Sequence, residues 1–391
     1  MKQPLKKDEK MKIDLLITLL TLSMFRFPSF HYIVIYMLLA ITDVYALVYS
    51  IRKCGIQHLG TPMLILMFVM MISDTMNFLQ GNISLGYCVY GLLYALYLYS
   101  LERVMYAYRV GNKIDEFITQ FTNVFFVLNI LSIFSIFFAG ADRNLANYRY
   151  FLGDKFITSY ALVLSMTLFC YDKCIKKNIN KKINNVKVFC LWAFTILICY
   201  MIHCNTGLIV ATLTSILLFT PLKLKYILCR KFVIGISILV FGFVLIIYSD
   251  ILNNFFIKSI IVDIFHRNIG LTGRMNIYRH LPKIIAKKPL LGYGYLNDAV
   301  SRTVGAGNTQ NGLLEIVVSY GTIGAIIFFL NTCFSIGSKK KIYSYWVFFS
   351  MCYALIVVSI IEVTYTSTIF YFLTFLCKHL KNKIHNEKII S

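Results

Sequence analysis

Long apolar runs separated by short polar turns recur along the chain, and this pattern limits the fold more than any other feature. At roughly 15–24 residues each, the runs match a hydrocarbon core of roughly 30 Å when helical, the shorter ones assisted by flanking residues. A membrane β-barrel would instead show alternating segments of about ten residues, and none is evident. Spans are expected near 13–27, 29–51, 62–80, 84–106, 117–139, 156–172, 187–203, 206–221, 232–249, 312–334, 343–361 and 363–378. Composition agrees: 58% of residues are hydrophobic and only 14% charged, with a mean hydropathy of +0.70. A chain of 391 residues ordinarily implies two or three soluble domains; this composition excludes them. The expected fold is an all-α polytopic membrane protein, a single integral domain over 1–391, with about twelve helices.

The net charge of +22 raises the question of nucleic acid, and its distribution answers it. With a cytoplasmic N-terminus, the inward segments hold 26 of the 39 basic residues, twelve lie outside and Arg103 falls within a span. That asymmetry is the positive-inside pattern, with both termini cytoplasmic. The excess charge therefore reports topology and affinity for anionic lipid rather than a nucleic-acid partner. The basic N-terminus and first apolar run look like a signal peptide, but Arg26-Phe27-Pro28 stands where a small-residue cleavage site would be. It reads as an uncleaved first helix. The eleven cysteines show neither metal-ligand spacing nor a disulfide framework, and read as small packing residues.

Between the ninth and tenth spans the chain leaves the pattern for a polar loop over 250–311. Loops this long inside a compact domain are uncommon and usually functional. Eight of the twelve outside cations are here: Lys258, Arg267, Arg274, Arg279, Lys283, Lys287, Lys288 and Arg302. Such a cluster on the outer side points to an anionic ligand. Ile277, Leu281, Ile284 and Ile285 have helical spacing, with Thr272 as a cap, Pro289 as a stop and a kink or break at Pro282. Three motifs stand in and after the loop. They are Gly273-Arg274-Met275-Asn276-Ile277-Tyr278, then Lys287-Lys288-Pro289-Leu290-Leu291-Gly292-Tyr293-Gly294, then Gln310-Asn311 followed after nine residues by Gly321-Thr322-Ile323-Gly324.

In this order and spacing the motifs resemble the O-antigen polymerase and O-antigen ligase superfamily of bacterial envelope glycosyltransferases. There a Gly-Arg opens the long external loop, a Pro-Leu-x-Gly-x-Gly segment follows, and a His-containing polar pair precedes Gly-x-x-Gly. This chain departs in having Gln310 where many members have His. A second outer segment, Arg149-Tyr150-Phe151-Leu152-Gly153-Asp154, resembles the family's shorter external motif. At His203-Cys204-Asn205-Thr206-Gly207 the Arg of many relatives is missing, which leaves a third cation unassigned.

The resemblance implies a GT-C-like fold and attack of a sugar hydroxyl on an anomeric carbon whose leaving group is undecaprenyl diphosphate. Negative charge then develops on diphosphate oxygens, which a guanidinium fork suits. Arg274 is the expected diphosphate clamp, with Arg149, Arg267 and Arg279 as further binding cations. Gln310 cannot take a proton at neutral pH, so Gln310 and Asn311 are expected to position sugar hydroxyls. Glu315, one turn beyond Asn311, is the candidate acceptor base. Gly321 and Gly324 are expected to allow close helix packing. Asp74, in the outer half of its span, and Glu362, at the outer end of its own, are further candidates for the site lining. Tyr90, Tyr94, Tyr97 and Tyr99 read mainly as packing and interface residues, some of them stacking on sugar.

No Asp-x-Asp occurs, so the expected mechanism is metal-free and without cofactor. The favoured reading is an inverting polymerase of O-antigen or capsular repeat units on the outer face of the bacterial cytoplasmic membrane. Its partners would be lipid-linked donor and acceptor, membrane lipids, and a flippase and chain-length regulator of the same pathway. The alternatives are an O-antigen ligase acting on lipid A core and a flippase or exporter of lipid-linked oligosaccharide.

Overall fold

The computed structural model describes residues 7–55, 61–138, 149–175, 185–247, 274–338 and 343–387. Helices dominate it: α1 (Lys7–Ser23), α2 (Tyr32–Cys54), α3 (Thr61–Leu79), α4 (Leu85–Val110), α5 (Ile114–Phe138) and α6 (Lys155–Phe169). There follow α7 (Asn185–Met201), α8 (Asn205–Phe219), α9 (Leu222–Leu228), α10 (Lys231–Ile247), α11 (Arg274–Lys287), α12 (Ala299–Val304), α13 (Gly312–Ile336), α14 (Tyr343–Val358) and α15 (Thr368–Glu387). The strands described are a minimal hairpin, β1 (Arg149–Tyr150) and β2 (Gly153–Asp154), with Arg149 opposite Asp154. The chain is an all-α membrane protein in class. Tyr32–Cys54, Pro62–Leu79, Ile114–Phe137 and Gly312–Ile336 are long and apolar enough to cross a bilayer, and several shorter apolar helices accompany them.

Apolar side chains are distributed as they are in a protein dissolved in lipid. On α2 the exposed residues Ile33, Met37, Ile41, Val44, Val48 and Ile51 recur every three or four positions, and Ile65, Phe68, Ile72, Met76 and Leu79 do so on α3. In water such stripes would be costly; hydrocarbon tolerates them, provided the backbone is satisfied within each helix. The interior in turn carries polar groups, with Asp43, Ser73, Asp74, Asn77, Glu102 and Arg103 all buried. Around α4, buried along most of its length, pack α2, α3 and α15, while α14 lies on α8 and α13 lies between α10 and α3.

Helix ends are set locally. Ser84 caps α4 by accepting from the Tyr87 amide, and Asp154 caps α6 through the Phe156 and Ile157 amides at 2.9 Å. Gly55, at φ 67°, closes α2. The break expected at Pro282 does not occur: α11 runs through it. Ile277, Tyr278, Leu281 and Ile284 are buried on one face, packed with α12 and with Leu314 and Val318 of α13. That burial outweighs one lost backbone bond, a cost of about 3 kcal/mol in an exposed helix. The expected Thr272 cap and the start of the long loop lie outside the described residues.

The largest departure from expectation is at Gly321. There α13 is interrupted, with Gly321 at φ 67° and ψ −171°, and the Pro-Leu-Leu-Gly-Tyr-Gly segment fills the gap. The Val318 and Ser319 carbonyls would ordinarily accept from the Thr322 and Ile323 amides. They accept instead from the Tyr293 and Gly294 amides at 2.9 and 2.8 Å, while the Thr322 and Ile323 amides donate to Pro289 and Leu290 at 2.8 and 3.3 Å. Two helical bonds are exchanged for four between loop and helix, so the two carbonyls and two amides freed by the break are all paired. Only glycine fits: a Cβ at Gly321 would lie 2.1 Å from the Leu290 carbonyl oxygen, and one at Gly292 2.4 Å from that of Val318. The Gly-x-x-Gly that suggests helix packing is, at its first glycine, a splice for the loop.

The splice is fixed to α3 as well. The Ser73 hydroxyl donates to the Leu291 carbonyl at 2.6 Å, the Asn77 amide donates to that of Gly292 at 3.0 Å, and Asp74 Oδ1 accepts from the Tyr295 amide at 2.6 Å. Lys288, one of the loop cations, donates to Asn77 Oδ1 and Gln80 Oε1 at 2.5 and 2.6 Å.

Candidate functional site

The splice delivers Tyr295 to a cavity of about 320 Å³. Its walls are Arg26 from the α1–α2 turn, Tyr90 and Tyr94 of α4, Asp154 and Tyr160 at the start of α6, Asn308 and Gln310 ahead of α13, and the α14–α15 link at Glu362. Segments distant in sequence thus converge at the mouths of several helices.

Behind one wall lies a charged joint. Arg274, the first residue of α11, donates from Nε and Nη2 to Gln310 Oε1, both at 3.1 Å, and from Nη2 to Glu362 Oε1 at 2.9 Å. Asn308 Oδ1 accepts from the backbone and side-chain amides of Gln310 at 2.9 and 2.7 Å. With Nε2 committed there, Oε1 must face the guanidinium, which fixes the amide orientation. Gln310 is held at φ 55°, uncommon for a non-glycine residue and a modest strain typical of functional turns. The Tyr278 hydroxyl meets the Gln310 and Ile360 carbonyls at 3.0 and 3.3 Å, bracing both segments from α11.

Glu362 is buried and lies between α14 and α15. Burial pushes its carboxyl up to about 7, while the Arg274 guanidinium pulls it down. The cavity therefore presents a carboxyl that changes protonation near neutrality, the condition a general base requires.

The expected site residues are spread across several roles. Arg274 and Gln310 meet, but Arg274 supports the wall rather than lining it. Asn311 is fully buried and caps α13 by accepting from the Leu314 amide at 3.1 Å. Its own amide donates to the Phe241 and Ile360 carbonyls. Glu315 is not among the residues lining the cavity and accepts from the Thr309 amide at 2.9 Å. Arg279 is exposed on α11. The backbone of Arg149 forms β1, its side chain is outside the described residues, and so is Arg267. Of the two acids in the outer parts of spans, Glu362 lines the cavity and Asp74 instead holds Tyr295.

Two features escaped the motif reading. Arg26 enters the cavity with its guanidinium carbon 3.8 Å from the Tyr90 ring centroid. Tyr295 stacks on Tyr94 at 4.7 Å and 12° and on Tyr90 at 5.8 Å and 14°. The available signal for Arg26 was its position, an arginine between two apolar runs on the side where the charge rule disfavours it.

Comparison with known proteins gives one finding beyond this geometry: residues 189–329 match the family model described as O-Antigen ligase. The matched range holds α10, α11, Gln310 and the break in α13. No curated protein and no solved structure matches the chain.

Proposed function

We propose that this chain, a member of the O-antigen ligase/polymerase superfamily through residues 189–329, is an inverting polymerase of oligosaccharide repeat units carried on undecaprenyl diphosphate. The reading takes the twelve apolar runs of the sequence as membrane crossings, with both termini cytoplasmic and the cavity at the outer face of the bacterial cytoplasmic membrane. The observation that carries it is the Arg274–Gln310–Glu362 joint at a cavity walled by tyrosines and amides, with Arg274 and Gln310 inside the segment that matches the family and Glu362 beyond it.

The step assigned to this cavity is a displacement at the anomeric carbon. A hydroxyl of the incoming repeat unit forms the new C–O bond as the bond to the diphosphate breaks, and the diphosphate leaves with the electron pair. Glu362 receives the hydroxyl proton. Gln310 and Asn308, fixed by their own hydrogen bonds, orient sugar hydroxyls on the same wall. Arg274 keeps enough of the buried Glu362 ionised to act and holds it in place, so it works as a positioning residue. A positioned base of this kind contributes about 10²–10⁴-fold in rate.

A ligase reading draws on the family description itself, whereas Gln310 in place of the His common among relatives favours polymerisation. Surface polysaccharide from a deletion strain separates the two. Single repeat units in place of a ladder, restored by the intact gene and not by Glu362→Gln, support the polymerase. Full-length polymer left on its lipid carrier supports the ligase. Lipid-linked repeats trapped on the cytoplasmic side would refute both.

A further inference from the structure

Arg26 is the cavity's uncancelled cation. The charge of Arg274 is met by Glu362 at 2.9 Å, and that of Arg302 by Asp298 at 2.6 Å. Among the described residues no carboxylate pairs with Arg26. Of the acids lining the same cavity, Asp154 commits Oδ1 to the first amides of α6 and Glu362 faces Arg274. An arginine left without a counter-ion at a helix turn of a membrane protein is costly to keep, and such residues mark ligand sites by default.

Its setting also holds the guanidinium in place. Phe25 and Phe27 on either side are buried, and Thr368 donates to the Met24 carbonyl at 2.7 Å, so the turn is held from both directions. Tyr90, backed by Tyr295 and Tyr94 in near-parallel stacking, lies under the guanidinium. A guanidinium donates only within its own plane. Arg26 also makes a side-chain hydrogen bond to Tyr90; the donors not used there remain for phosphate oxygens, which a guanidinium holds well.

We propose that Arg26, held over Tyr90, binds the diphosphate of the lipid-linked substrate. The inference rests on the polymerase reading for the identity of the carrier lipid. The diphosphate would lie across the cavity from Glu362, with the sugar between them and the tyrosine ladder beside it. Arg274 and Arg26 then divide the work: one sets the base, the other holds the leaving group.

The test uses the purified full chain in nanodiscs with farnesyl diphosphate as probe and farnesol as its uncharged control. Arg26→Ala is expected to weaken farnesyl diphosphate binding about 10- to 100-fold, the range of a charge-assisted contact, and Arg26→Lys less. Farnesol binding should stay within about twofold. Arg26→Gln, neutral but still polar and with part of the side chain retained, carries the test where Arg26→Ala fails to fold. Diphosphate binding by the neutral variants equal to that of the intact protein overturns the proposal, as does an intact protein that prefers farnesol or binds neither. Arg26-dependent diphosphate binding, with unchanged surface polysaccharide in the deletion strain, would retain the inference while discarding the polymerase reading.

Discussion

Arg274 and Glu362, 88 positions apart in sequence, meet at 2.9 Å, and the same guanidinium holds Gln310 through two bonds of 3.1 Å. The side chains of the pair are 19% and 10% exposed, so their charges are largely withdrawn from water. Removing one partner of a buried pair strands the other, at about 3–5 kcal/mol for full burial and less for partial exposure. This joint ties α11 to the α14–α15 link that carries the proposed base.

The first consequence concerns pH. A base must be deprotonated to act, so activity should rise as pH increases through about 7, following the Glu362 carboxyl. Glu362→Gln should abolish that limb and lower turnover about 10²–10⁴-fold. An unchanged pH profile in the variant would remove Glu362 from the mechanism.

Arg274→Ala should move the limb upward. Arg274 pulls the Glu362 carboxyl down against the effect of burial, so without it the midpoint rises above that of the intact enzyme. Arg274→Lys keeps the charge but not the three-way fork, and should shift the midpoint less while still lowering the rate. The pH–rate profiles of the two variants, compared at saturating substrate, check this directly.

The exchanged bonds at Gly321 predict a steep difference between glycines. Gly321→Ala places a methyl group against the Leu290 carbonyl in a backbone that alanine rarely adopts, and should cost on the order of 3 kcal/mol or more. Gly305, at φ 73° with no atom within 4 Å of a built Cβ, should lose only about 1 kcal/mol on the same change. Thermal unfolding in detergent, followed alongside protease cleavage of the loop, ranks them. Equal effects would mean that the loop does not need the break.

Neighbouring residues at the mouth of α13 should separate by role. Asn311→Ala removes a helix cap and two side-chain bonds, a stability loss of about 2–3 kcal/mol, with residual activity in proportion to folded protein. Gln310→Ala should leave the fold largely intact and depress activity per folded molecule. Specific activity corrected for folded fraction distinguishes them.

Much of this was legible from the sequence, and the boundary has a physical cause. Hydrocarbon thickness dictates the length of an apolar run, and four of the described helices are long and apolar enough to cross a bilayer, with shorter apolar ones beside them. Motif order draws attention to Arg274 and Gln310, which the fold brings together. Glu362 was one of several acids near span ends, and nothing local indicates that its link folds back to Arg274. Gly321 and Gly324 look the same as a helix-packing pair, because the splice depends on a partner segment some thirty residues earlier. Arg26 read as an interruption between two runs, since cavity walls made from different helix ends leave no periodicity to read.

The most direct test of the central claim is turnover by purified protein in liposomes containing lipid-diphosphate-linked repeat units, with product length and released undecaprenyl diphosphate followed together. The account predicts a ladder of polymer, one diphosphate released per bond formed, and loss of both with Glu362→Gln. Absence of elongation by the folded protein, or transfer only when lipid A core is supplied as acceptor, would contradict it.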